Sequence, residues 1–144
     1  MTISAETIAR ALGRPRPTED QRRVIEAPRG PALVVAGAGS GKTETMSAGV
    51  VYLIVNGLVE PDEVLGLTFT RKAAGELGER IRRRLRTLTA RMRDAGQHAL
   101  LGDLGEQTPD AALLASMRRP TVATSNSYAA GLVKEHGLRL GIEP

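Results

Sequence analysis

The sequence predicts an α/β domain, a parallel sheet with helices on both faces. Three observations carry this. Short apolar runs alternate with helical stretches, the order expected when each strand is followed by a helix that crosses back over the sheet. The runs in "PALVVA" and "EVLGLTF" are continuously apolar, as strands buried on both faces are. The first run leads through a glycine-rich turn, "AGAGSGKT" at residues 36 to 43, straight into a helical pattern.

Each element has a local reason. "SAETIARALG" predicts a short helix with Ser4 as cap and Gly13 as stop. "RPRP" then makes a stiff, extended linker. "TEDQRRVIEAP" predicts a second helix that Pro28 ends. Thr18 and Gln21 in it have capping-box spacing. "PALVVA" predicts the first strand. A helix follows from the Gly-Lys-Thr to Asn56, before Gly57. "EVLGLTF" predicts the second strand. A long basic helix begins near Arg71, with Leu77, Ile81, Leu85 and Leu88 along one face. Residues 95 to 107 read as loop. "TPDAALLASMRR" predicts a helix capped by Thr108, with Pro109 in its first turn. "TVATS" is a third short strand, and "NSYAAGLVKEHGLRLG" a final helix.

Composition narrows the chemistry. The chain has 144 residues, 41% of them hydrophobic, enough for one domain with a core. Aromatics are limited to Tyr52, Phe69 and Tyr128, so the core is aliphatic. The absence of cysteine excludes disulfides and thiolate zinc sites. His98 and His136 alone form no histidine metal cage. No apolar run is long enough for a bilayer, and the N-terminus lacks a secretory pattern, so a cytoplasmic protein without membrane attachment is expected. Positive charge is gathered in one place. Residues 71 to 93 hold nine Arg or Lys against two Glu, a net +7 within a total of +4, leaving −3 elsewhere. Such a segment suits a polyanionic partner, although a solvated outer helix face explains it equally. Arg82, Arg83 and Arg84 are consecutive and spread around the helix, so they do not all face one groove.

The glycine-rich turn has a direct chemical reading. Amides in such a turn and at the following helix start lack internal acceptors and converge on one point, and the helix dipole adds positive potential there. Ala36, Gly37, Ala38, Gly39, Ser40 and Gly41 would cradle the phosphates. Lys42 would reach the β- and γ-phosphates, and the Thr43 hydroxyl would coordinate Mg²⁺. The strict G-x-x-x-x-G-K-[ST] pattern is not met, because Ala36 holds its first position. A nucleoside triphosphate with Mg²⁺ is the expected ligand of this turn, and the resemblance given below implies that it is ATP. The amide of Gln21 offers a donor beside an acceptor, which suits the edge of adenine, while capping alone also accounts for it.

Three segments together resemble the N-terminal motor domain of UvrD/Rep-type superfamily 1 DNA helicases: "TEDQRRVIEAPRGPALVVAGAGSGKT", "VLGLTFTRKAAGELGERI" and "TVATSNSYAAGLVKEHGLRLG". An alanine at the head of the phosphate loop is usual in that family. The variant "GSGKTETM" with "GLTFTRKAAGEL" looks closest to actinobacterial members, some of them helicase–nucleases. The resemblance implies a RecA-like P-loop fold, a three-layer parallel sheet with helices on both faces, incomplete here. It implies that residues 18–144 are the N-terminal part of the ATP-binding domain, behind a helix and linker at 1–17. It implies that Gln21 reads adenine, that Lys42 is catalytic, stabilising charge on the γ-phosphoryl, and that Thr43 binds the metal.

The resemblance also assigns single-stranded DNA contacts. Thr68, Phe69, Thr70 and Arg71 match one DNA-touching segment, and Phe69 stands where a parallel strand ends, the usual ligand side of such sheets. A core role for Phe69 is the alternative. Thr124, Ser127 and Tyr128 match a second segment, in which Ser125 and Asn126 replace an aromatic and a histidine. Relatives often carry arginine after the Gly-Lys-Thr, where this chain has Glu44, so that nucleotide contact does not carry over.

Hydrolysis also needs a carboxylate to help hold Mg²⁺ and a group to orient water. In the family these come from an Asp-Glu pair after a buried strand, and no such run occurs here. The chain therefore reads as an N-terminal helicase fragment, nearly inactive alone. The expected function is the ATP-binding portion of a 3′-to-5′ DNA helicase in repair or recombination. Its partners would be single-stranded DNA and the rest of the helicase or a partner subunit. The alternative is a free-standing nucleotide-binding regulatory module.

Overall fold

A computed structural model describes residues 2–95 and 118–142, and the side chains of all of these except 92–95 and Leu140. The elements run α1 (Ala5–Ala11), α2 (Glu19–Ile25), α3 (Lys42–Val55), a 3₁₀ turn (Pro61–Glu63), β1 (Leu65–Thr68), α4 (Arg71–Ala95), β2 (Thr121–Thr124), α5 (Ser125–His136) and a 3₁₀ turn (Gly137–Leu140). The expected loop at 95–107 and the helix from Thr108 fall almost wholly outside the described residues.

Local chemistry sets most boundaries where the sequence marks them. Ser4 caps α1 by accepting from the Thr7 amide, and Gly13 leaves the helix at a φ of +63°. Thr18 and Gln21 form the reciprocal capping box of α2. Asn56 caps the end of α3, and Gly57 follows at a φ of +62°, as helix exits favour.

β1 and β2 pair in parallel, with Leu65 opposite Thr121 and Thr68 opposite Thr124. α4 packs on this small sheet with its predicted stripe, and Leu77, Ile81 and Leu88 are buried while Leu85 packs on the core edge. Val122 of β2 lies against Gly66 and Gly78, where an added methyl group would already be in contact at 3.4 and 3.5 Å. The main core lies under the N-terminal helices. It joins Ile3, Ala5, Ile8, Ile25, Val51, Tyr52, Val55 and Leu88. Asn56 fastens the chain start to α3, accepting from the Ile3 amide and donating to its carbonyl. Arg91 of α4 donates to the Ala11 carbonyl at the end of α1.

One expected element differs. Residues 31–37 form neither helix nor strand, and Leu33 and Val35 are 88% and 85% exposed. A strand exists only by pairing, because an unpaired one leaves its amides and carbonyls to water. Among the described residues β1 and β2 pair with each other alone, and "PALVVA" pairs with neither. The observed architecture is mixed helix with a two-stranded parallel sheet.

Candidate nucleotide and single-strand site

The turn between residues 36 and 43 has the shape of an anion cradle. Gly39 and Gly41 hold φ values of +74° and +82°. Such values favour glycine. The Ser40 amide and hydroxyl both donate to the Gly37 carbonyl, which closes the turn. Gly41 is the cap residue of α3 and offers no side-chain acceptor, so the first amides of the helix stand unsatisfied at the turn. Lys42 folds back, its Nζ 2.8 Å from the Ala36 carbonyl and 2.7 Å from that of Gly37. The ammonium is thus held at the centre of the turn by oxygens that a phosphate can replace. Ala36 through Ser40, Lys42 and Thr43 are exposed.

Gln21 adjoins this turn. Its Oε1 accepts from the Thr18 amide at 3.0 Å, so the capping role is real. Its Nε2 points at Gly41, where a Cβ would lie only 3.0 Å away. The backbone angle of Gly41 favours glycine, and a side chain there would also press on the Gln21 amide. Capping and recognition do not compete, since capping uses the oxygen and leaves the amide nitrogen facing the turn.

Glu44, the residue after Thr43, is a charge hub. Arg84 reaches its Oε1 at 2.5 Å, and Arg80 and Arg14 reach Oε2 at 3.2 and 3.4 Å. Arg84 also donates to Ser47 Oγ at 2.9 Å, and both are buried. Partial burial works against the Glu44 charge. The hydrogen bond from Arg84 and the charges of Arg84, Arg14 and Arg80 outweigh it and hold the carboxyl below its ordinary 4.5. A lowered folded-state value adds stability above the unfolded value, lost as pH falls through the folded one. Unfolding followed from pH 6 to 3 should therefore show an acid limb beginning near 4.5 and continuing below it, and Glu44→Gln should flatten it. An unchanged limb in the variant would assign the acid sensitivity elsewhere.

The two expected DNA segments meet at one end of the sheet. Thr68 and Thr124 are the last residues of β1 and β2 and are register partners. Phe69 follows β1, is 100% exposed and takes no part in the core of the described residues. Thr70 caps α4, accepting from the Ala73 amide, and Thr68 Oγ1 donates to the Thr70 carbonyl. Arg71 opens α4 and is exposed. Thr124 caps α5, accepting from the Ser127 amide and donating to Ser127 Oγ at 2.7 Å, and it is buried. Tyr128 is half-buried. Much of the positive charge on α4 is spoken for: Arg82 and Arg86 pair with Glu79, and Arg80 and Arg84 with Glu44. The solvated and packed reading of this helix is the better supported. Among the described residues no group of three or more His, Asp or Glu could hold a metal ion.

The family model described as UvrD/REP helicase N-terminal domain matches residues 17–144. The chain belongs to the UvrD/Rep helicase family. The ATP-dependent DNA helicase UvrD2 of Mycobacterium tuberculosis is 47% identical over 82 residues, 57% of this chain and 11% of the relative. The ATP-dependent DNA helicase Rep of Buchnera aphidicola is 42% identical over 69 residues, 48% of this chain and 10% of the relative. An ATP-dependent helicase/nuclease chain of Heliobacterium modesticaldum is 33% identical over 130 residues, 90% of this chain and 8% of the relative. The chain spans about a tenth of the length of these curated relatives. The mycobacterial relative fits the actinobacterial character of the phosphate-loop region.

Within this UvrD/Rep domain, Arg14, Arg80, Arg84 and Ser47 are the site neighbours that sequence reading passed over. One signal was present. Arg84 stands three residues after Ile81 and four before Leu88, on the apolar stripe of α4. A charge on that stripe calls for a buried partner.

Proposed function

We propose that this UvrD/Rep domain is the ATP-binding portion of a 3′-to-5′ DNA helicase acting in repair and recombination, in the cytoplasm. The observation that carries the reading is the uncapped start of α3 facing a glycine turn that already holds the Lys42 ammonium. The triphosphate displaces the Ala36 and Gly37 carbonyls from Lys42, which then lies against the γ-phosphoryl. Amides from Gly37 to Thr43 take the phosphate oxygens, and Gln21 donates from Nε2 to the adenine edge. The turn contributes one suitable oxygen ligand for Mg²⁺, the Thr43 hydroxyl, so the ion would also need phosphate oxygens and water, as Mg²⁺ commonly takes. Bound there, Mg²⁺ would neutralise charge developing on the phosphates. Glu44 is committed to arginine and does not serve as a metal ligand. Further carboxylates and the remaining strands of a RecA-like three-layer sheet would come from the rest of the helicase or a partner subunit.

Single-stranded DNA would run across the ends of β1 and β2. Phe69 stacks on a base there, with Thr68, Thr70, Arg71, Ser127 and Tyr128 along the backbone path and Thr124 holding the second turn in shape. In the full-length protein, Phe69→Ala should weaken single-strand binding by about 5- to 150-fold, the worth of one stacked base. ATP binding should stay within twofold of the parent. Equal loss of both affinities, measured by fluorescence titration with each ligand, would refute the assignment.

A further inference from the structure

Glu44 stands where a carboxylate ordinarily closes its own helix start. Gly41 is the cap residue of α3 and Lys42 its first residue, so Glu44 is the third residue of the helix. A Glu or Gln at that position reaches back to the amide of the cap residue. This chain does so twice. Gln21 Oε1 accepts from the Thr18 amide at 3.0 Å, and Glu63 Oε2 accepts from the Glu60 amide at 2.8 Å. Glu44 has the same spacing, and its Cβ lies 3.9 Å from where a Cβ on Gly41 would stand. Among the described residues, however, no side chain caps α3. The Glu44 carboxylate turns to Arg84, Arg80 and Arg14 instead.

We propose that Arg84 and Arg80 are positioning residues of the nucleotide site, which hold Glu44 off its own helix start and so keep the amides there open for phosphate. This rests on the phosphate-turn reading given above and deepens it. The free amides and the dipole at the start of α3 attract any anion. The anion nearest along the chain is Glu44 itself. Folded onto the Gly41 amide, it would use up a donor and put negative charge where the phosphates have to lie. Against that single amide, the arginines give the carboxylate two donating guanidiniums and a third that pairs with it. The hold is itself fixed. Arg84 donates to the buried Ser47 hydroxyl, which donates to the Glu44 carbonyl. Arg80 stands four residues before Arg84, on the same face of α4.

Calorimetric titration of the full-length protein with Mg·ATP tests this. Arg80→Met with Arg84→Met should weaken binding about fivefold, the competition expected from a helix cap of ordinary strength. Adding Glu44→Ala to that pair should restore the parent's affinity within about twofold, because no competing carboxylate remains. Adding Glu44→Gln should restore less, since Gln21 shows that an amide at this position still reaches back. Alanine and glutamine remove the same charge, so equal rescue by the two would mean that the arginines act through charge alone. Undiminished affinity in the arginine pair, or a loss that Glu44→Ala does not mend, would mean that Glu44 is no competitor. Each of these results overturns the proposal and leaves the turn reading in place, whereas a parent that binds no Mg·ATP overturns both. The first pair removes a buried arginine, so Arg80→Met with Arg14→Met, both partly exposed, is measured beside it. A loss of about twofold with the same order of rescue is expected there. Should the first pair not fold, as circular dichroism melts would show, the second decides, and unchanged affinity in it overturns the proposal.

Discussion

Replacing Lys42 by alanine is expected to lower single-strand-stimulated ATP hydrolysis in the full-length protein by about 10²- to 10³-fold, the range for removing one donor to transition-state charge. The structure explains why the loss would fall on turnover more than on binding. The amides of the turn and of the first turn of α3 remain to hold phosphate when the ammonium is gone. The ammonium already sits 2.7 and 2.8 Å from two carbonyls, and exchanging those neutral oxygens for anionic ones becomes more favourable as charge builds on the γ-phosphoryl. Lys42→Arg should not rescue. A planar fork presents its donors in a different geometry from a compact ammonium. Steady-state rates for both variants, with ATP affinity measured alongside, check this. Turnover within threefold of the parent in Lys42→Ala would mean that the lysine is idle.

Arg84→Met is expected to destabilise the fold by about 2–3 kcal/mol. Breaking a buried ion pair at one end typically costs roughly 3–5 kcal/mol, and the lower figure applies because Glu44 is partly solvated and keeps Arg14 and Arg80. Methionine fills much of the volume, so the loss reports charge and hydrogen bonding more than a cavity. Ser47 retains its own bond to the Glu44 carbonyl at 2.9 Å and is not orphaned. For a chain of this length the midpoint of thermal unfolding should fall by roughly 5–10 °C. In a double-mutant cycle with Glu44→Gln the two effects should sum to more than the double variant loses, as expected for groups in contact. A shift below about 1 °C would show that Arg84 contributes nothing to stability, and strict additivity would show that it acts independently of Glu44.

These two residues also mark what could be read beforehand. Helix ends were legible because their causes are local: Ser4, the Thr18–Gln21 box, and Asn56 before Gly57 act within a few residues of themselves. The stripe on α4 was legible because burial follows helical spacing. The turn at residues 36 to 43 was legible as geometry, since positive-φ glycines and an uncapped helix start are properties of one short segment. The Glu44 hub was not, because Arg14, Arg80 and Arg84 lie 30, 36 and 40 residues away from it along the chain. No periodicity connects them. The strand expected at "PALVVA" failed for a related reason. An apolar run states a preference for burial, and a strand also requires a neighbour, which its own sequence does not encode. Phe69 shows the reverse case. Its position after a strand suggested a ligand-facing side chain, and among the described residues nothing covers it.

The first helix carries a practical lesson for anyone engineering this protein. The family match starts at residue 17, and a tidy expression boundary drawn there would discard Ile3, Ala5 and Ile8, which are part of the interior, together with the fastening between Ile3 and Asn56. Trimming to the shared region would strip Val51, Tyr52 and Val55 of their cover and turn a packed seam into a sticky surface. Ile3 and α1 belong to the body of this molecule rather than to its wrapping.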